Sequence, residues 1–302
     1  LMADKKRPAV HTYNATLNSF TKFSGGQGTE EMLVTDVFTA GKLKEYEAWL
    51  RSRNASWNTV STYMRVLKAV YNRLVEAKHL TYDARLFDSV YTKVEAQSKR
   101  SLTEEQMNTL LRTDFEKLPE DVQNVLAYFL LMFLFRGMPF IDMAYLRKQD
   151  LKEHCITYCR HKTGKKMVVR IPHEATALFE KCRNKKTDSG YLFPILDETT
   201  ENEKKLYENY RQALRTFNRK LAKMAALLLP GTNISSYTAR HTWATLAFYS
   251  GIPIGIISKA LGHSSIKVTE TYLKPFENEK VDAANDELIM SVVKRSKEKI
   301  VA

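Results

Sequence analysis

A chain of 302 residues has the length for two ordinary domains, and its 44% apolar content is that of a globular protein rather than a disordered one. Lys and Arg outnumber Asp and Glu by 47 to 34, a net charge of +13; residues 1–100 hold 16 basic and 10 acidic side chains, so +6 lies there and +7 in the rest, and a polyanionic partner is favoured along the whole length. The longest apolar run, Val125 to Phe135, ends at Arg136, well short of the ~18–20 residues of a membrane span, and the three cysteines (Cys155, Cys159, Cys182) are too few and odd in number for a disulfide framework.

In chain order, the first ~95 residues read as helical. Short helices are expected around Leu17–Phe23 and Leu43–Leu50, separated by the Gly-rich break Ser24–Gly28. Val60, Met64, Leu67, Tyr71 and Leu74 then recur in four- and three-residue steps, the apolar stripe of an amphipathic helix, with capping residues at Asn54–Ser56. The basic residues on that helix, Arg65, Lys68 and Arg73, are either a solvated face or phosphate contacts. Gln97–Arg100 reads as a linker. Thr103-Glu-Glu-Gln is a capping box, and an apolar helix should run from about Glu120 to Phe135. Cys155–Arg160 and Met167–Ile171 are β-leaning runs joined by His-Lys-Thr-Gly-Lys-Lys, which predicts a hairpin. Cys155 and Cys159 have no clustered His, so no metal site is expected there. A stripe from Tyr207 to Leu228 marks a long helix closed by Pro230-Gly231. The fold class expected is mainly α with a small antiparallel sheet.

Three short motifs come next. In Tyr237-Thr-Ala-Arg240-His241 an Arg-His pair opens an apolar helix; Leu261-Gly262-His263 comes 23 residues after the Arg; Tyr272 lies nine residues after that His. In this order and spacing they resemble the tyrosine recombinase (phage integrase) family over roughly residues 100–278. The resemblance implies an all-helical core-binding domain (1–97), a mixed α+β catalytic domain (98–278), and a tail (279–302) that docks on a neighbouring subunit. It implies DNA strand cleavage and rejoining through a 3′-phosphotyrosyl bond, with double-stranded DNA as partner, homo-oligomers from dimer to tetramer, accessory DNA-bending proteins and no cofactor; the cysteine count and the short apolar runs separately point to a reducing cytoplasm and no membrane. Relaxation of the type IB topoisomerase kind and sequence-specific binding without catalysis are the alternatives.

That chemistry accounts for the residue types. A covalent intermediate keeps the energy of the broken phosphodiester. Without a metal, the charge gathered on the non-bridging oxygens must be met by fixed cations and hydrogen-bond donors, for which the planar fork of Arg is suited. The leaving 5′-oxygen needs a proton, which a Lys can give. By resemblance Tyr272 is the nucleophile, Arg240 the second phosphate-binding arginine, His263 a donor to the phosphate, and Lys162 the mobile acid, with Lys165 and Lys166 as rivals. Two positions depart from the family pattern. Tyr237 stands where a His is usual, either orienting the phosphate or merely packing. Pro139 stands where the first arginine is usual. Arg136, three residues earlier, would share a face with that position if the stretch were helical or tightly turned, and is the expected substitute; Arg147 is its rival. Asp142 and His241 are expected to be scaffold, Asp142 by supporting an arginine. The chain starts at Leu1 rather than Met, which points to upstream sequence.

Overall fold

The computed structural model describes residues 7–25, 33–93, 101–197, 202–273 and 278–298. The chain divides into two compact units, Leu1–Ser98 and Lys99–Ala302.

Among its described residues the first unit is helical: α1 (Arg7–Phe23), α2 (Val34–Val37), α3 (Ala40–Ser52) and α4 (Trp57–Glu76). Ser56 caps α4 by accepting from the Thr59 backbone N–H at 3.2 Å, within the capping stretch expected. The stripe of α4 is buried at Val60, Met64, Leu67 and Tyr71 and packs on Leu43, Tyr46 and Leu50 of α3 and Phe20 of α1. Arg65 and Arg73 lie on the opposite face and Lys68 at the edge of the stripe, all three exposed. Of the Gly-rich break, Ser24 and Gly25 form a turn and 26–28 lie outside the described residues, as does the expected linker 97–100.

The second unit opens with α5 (Glu104–Leu111), where both bonds of the Thr103/Gln106 capping box are present. It continues through α6 (Glu120–Leu134), α7 (Phe140–Tyr145), strands β1 (Leu151–Lys152), β2 (Cys155–Cys159) and β3 (Lys166–Arg170), then α8 (Thr176–Cys182), α9 (Glu203–Leu228), α10 (Thr238–Tyr249), α11 (Ile254–Leu261), α12 (Ile266–Glu270) and α13 (Asn278–Glu298). The apolar helix α6 is the centre of the core, packed by α8, α9 and α10. The strands form one antiparallel sheet, β1-β2-β3, with Ile156 opposite Val169 and Cys159 opposite Lys166. The hairpin expected between two β-leaning runs is therefore present, with β1 added at its edge. Mainly helical with a small antiparallel sheet is the fold observed.

Two backbone features of this unit steer its buried polar side chains. Phe135–Pro139 is a break between helices: Arg136 and Gly137 both have left-handed φ, +60° and +66°, and Pro139 caps α7. At the end of α11, Gly262 takes φ +68°, the usual way a helix is stopped: its N–H and that of His263 bond the Lys259 and Ser258 carbonyls, and the Leu261 carbonyl at the very end is taken by side chains instead. No described helix is long and apolar enough to cross a membrane.

Candidate active site

The site gathers around the C-terminal end of α11. Arg240, in the first turn of α10, is 2% exposed. Its Nη1 donates to the Gly137 carbonyl at 2.9 Å, and its Nη2 reaches both the Leu261 carbonyl at 2.5 Å and His263 Nε2 at 3.0 Å. Its Nε is buried with no hydrogen-bond partner among the described residues. A guanidinium cannot accept a hydrogen bond, so His263 Nε2 must be the acceptor. The ring proton then sits on Nδ1 and is donated to Thr269 Oγ1 at 2.9 Å. Burial, followed by Arg240, Arg160, Lys162 and Lys165, lowers the His263 pKa to about 4, so the imidazole is neutral at pH 7.

Gly137 lets α10 come this close. A Cβ there would stand 2.9 Å from the Arg240 Cα, and the left-handed φ disfavours any side chain. The break at Phe135–Pro139 thus seats one arginine directly.

Tyr272 follows α12 on a turn closed by its N–H bonding the Thr269 carbonyl at 2.8 Å. Thr269 itself is fully buried, so the His263–Thr269 bond and this turn place the phenol beside the cations. The Tyr272 ring lies 4.7 Å from the His263 ring and 4.8 Å from that of His241, with the Arg240 guanidinium 5.6 Å from its centroid. Its hydroxyl is 2.7 Å from that of Tyr237. Burial, then the bond to Tyr272, pushes the Tyr237 pKa up to about 12, so Tyr237 keeps its proton. At neutral pH it can donate to the Tyr272 oxygen, which a phenolate-like oxygen would accept more strongly.

The β2–β3 turn brings the lysines. Gly164, at φ +66°, and the Gly164 N–H to Arg160 carbonyl bond at 2.8 Å shape it. Lys162 and Lys165 are exposed there; Lys165 Nζ donates to the His263 carbonyl at 3.1 Å. Both lie close enough to act on His263.

The expected first-arginine substitutes are engaged by other groups in this structure. Arg136 Nη1 donates to the Val168 carbonyl of β3 at 3.4 Å, because the left-handed break rather than a helix sets its direction. Arg147 lies over the Tyr191 ring at 3.8 Å. Sequence reasoning missed Arg160, 5% exposed at the end of β2. Its Nε donates to Asp142 Oδ2 at 3.3 Å, and its Nη1 reaches the carbonyls of Leu261 at 3.0 Å and Gly262 at 3.4 Å. Asp142 Oδ1 also accepts from the His161 backbone N–H at 2.9 Å. A sequence signal existed: Ile156, Tyr158 and Arg160 alternate on the buried face of the strand. Among the described residues no group of three or more His, Cys, Asp or Glu is placed to hold a metal.

Residues 100–279 match the phage integrase family, and residues 2–87 match its SAM-like domain. The tyrosine recombinase XerA of Pyrococcus furiosus is 25% identical over 240 residues, spanning 78% of this chain and 76% of that protein. A lambda integrase (75–356) dimer bound to a COC′ core site shares the fold at TM-score 0.62, 16% identity and 88% coverage of both chains. A lambda integrase tetramer bound to a Holliday junction does so at TM-score 0.61 and 13% identity, over 89% of this chain and 72% of that one.

Proposed function

The chain belongs to the phage integrase family, and from that premise we propose that it is a site-specific DNA recombinase that cuts and rejoins strands through a 3′-phosphotyrosyl intermediate on Tyr272. The observation that carries this reading is the convergence of a half-buried Tyr272 with the buried Arg240 and His263, with the Tyr237 hydroxyl 2.7 Å from that of Tyr272. Tyr272 attacks the phosphorus and releases its phenolic proton to solvent; Arg240 receives the charge that builds on a non-bridging oxygen; Tyr237 steadies the attacking oxygen. His263 turns its Nε2 from Arg240 to the phosphate as the anion arrives, since a nearby negative charge favours its protonated form. Lys162, exposed on its turn, gives the 5′-oxygen its proton as the P–O bond breaks.

The partner is double-stranded DNA, engaged by the basic second unit and by the exposed Arg65, Lys68 and Arg73 of α4, the face of the core-binding domain we assign to residues 1–97. Assembly is homo-oligomeric, dimer to tetramer, as in the lambda integrase complexes. The tail 279–302 docks on a neighbouring subunit through the apolar side chains that α13 leaves exposed, among them Val281, Ile289 and Val293. Cys155, Cys159 and Cys182 are unpaired, which suits the cytoplasm, where we place its activity.

The test is incubation with nicked suicide DNA carrying the recombination site, read as a covalent adduct on a denaturing gel. Wild type should give an adduct and Tyr272→Phe none. Adduct formation by Tyr272→Phe would remove the nucleophile assignment, and relaxation of plasmids without a site would favour topoisomerase-like action instead.

A further inference from the structure

We infer that Arg160, held by Asp142, takes the place of the missing first arginine and grips the scissile phosphate together with Arg240. The inference rests on the phosphoryl-transfer reading of the same site.

The two guanidinium groups meet on one atom: Arg240 Nη2 and Arg160 Nη1 both donate to the Leu261 carbonyl. The end of a helix offers carbonyls that lack partners within the helix and carries partial negative charge, so it can seat cations. Here it seats two side by side. Each also has its own glycine. Gly137 makes room for Arg240; Gly262 makes room for Arg160, since a Cβ at Gly262 would lie 2.8 Å from the Arg160 Cδ. In Leu261-Gly262-His263, therefore, the first residue binds both arginines, the second clears the stem of Arg160, and the third bonds Arg240.

The donors left over point to a ligand. Arg160 spends Nε on Asp142 and Nη1 on the α11 carbonyls, and its Nη2 makes no hydrogen bond among the described residues. Arg240 has a buried Nε that is likewise without a partner among them. Against these two buried cations stands one bonded carboxylate, Asp142, whose side chain is fully buried. Two neighbouring buried positive charges with one counter-charge and donors to spare are matched by a singly charged anion that accepts through two oxygens, which is what a phosphodiester offers. Arg136 has a bond to β3 and none to this carbonyl pair.

The experiment measures binding, so it does not depend on cleavage. The full chain carrying Tyr272→Phe is used to select a half-site duplex from a randomised pool. A methylphosphonate, which removes the charge of one non-bridging oxygen, is then placed at each phosphate in turn. At one phosphate the neutral group should weaken binding by about tenfold, the scale of a lost charge-assisted bond. Adding Arg160→Ala should bring that penalty below about twofold, because the charge no longer has its partner. Arg160→Lys keeps a cation for Asp142 but lacks the fork, and should lower the penalty too if the alanine variant does not fold. Adding Arg136→Ala should leave the tenfold penalty in place. A penalty that survives Arg160→Ala or Arg160→Lys, that vanishes with Arg136→Ala, or that appears at no phosphate overturns the inference. An absent Tyr272 adduct with this penalty pattern intact would overturn the recombinase reading alone.

Discussion

Arg240 and Arg160 are buried against the end of α11, hydrogen-bonded to backbone carbonyls, Asp142 and His263, whereas Lys162 stands exposed on the β2–β3 turn. The difference reflects what each does in the proposed reaction. Groups that meet developing charge work best if they are already in place and shielded from water, so that no reorganisation is needed at the moment of reaction. A proton donor must arrive at one step and leave, since the same oxygen later attacks in reverse. A buried half and an exposed half are therefore the division such chemistry asks for.

The largest effect that would sharpen this contrast is on the exposed side. Lys162→Ala should slow cleavage by about 10³-fold, within the usual range for a general acid. DNA with sulfur at the 5′-bridging position, whose leaving group needs no proton, should restore most of the rate. Equal slowing on both substrates would break the assignment, and Lys165→Ala showing the rescue would transfer it. On the buried side, Arg240→Lys should cost about 10²-fold in single-turnover cleavage, because one ammonium cannot replace the fork that now spans Gly137, Leu261 and His263. A loss under about threefold would show that the fixed half contributes little.

Smaller effects test how firmly that half is built. Gly137→Ala forces a Cβ to within 2.9 Å of the Arg240 backbone at a left-handed φ, and should lower unfolding stability by about 2 kcal/mol in urea titration. No change would mean the Phe135–Pro139 break is plastic. The last test is the pH dependence. The His263 pKa falls from 6.5 to about 4 on folding. The unfolded chain then binds more protons between those values, so stability is complete above about 6.5 and declines as pH drops toward 4. His263→Gln should show a shallower decline than wild type between about pH 6.5 and 4.5; parallel curves would assign the acid sensitivity to other groups.

Much of this was legible in the sequence where the chemistry is carried by contiguous motifs. Tyr237, Arg240, His263 and Tyr272 could be placed by spacing, since α10, α11 and α12 are short and joined by tight turns. The hairpin was legible because β2 and β3 are β-branched and bounded by a Gly-bearing turn. Helix starts were less so: α9 begins at Glu203, ahead of its apolar stripe, because its exposed first turn carries no hydrophobic signal. Strand β1, with two residues, is too short for a period to register. The first arginine was harder to place. Arg136 was expected there if the stretch were helical or tightly turned; the stretch is a left-handed Arg136–Gly137 break, from which Arg136 bonds the Val168 carbonyl. Alternation along β2 marks Arg160 as inward-facing, but what it meets becomes visible only when the tertiary fold brings β2 against the end of α11.

The contact between the two phenol hydroxyls has a bearing on how subunits would share the work. Tyr272 rests against Tyr237, His241, His263 and Arg240 of its own chain. On the proposed roles, each protomer would supply both attacker and cradle. Mixing a Tyr272→Phe protein with an Arg240→Lys protein should not restore cleavage by complementation, whereas a nucleophile donated across the assembly would let each defective partner repair the other.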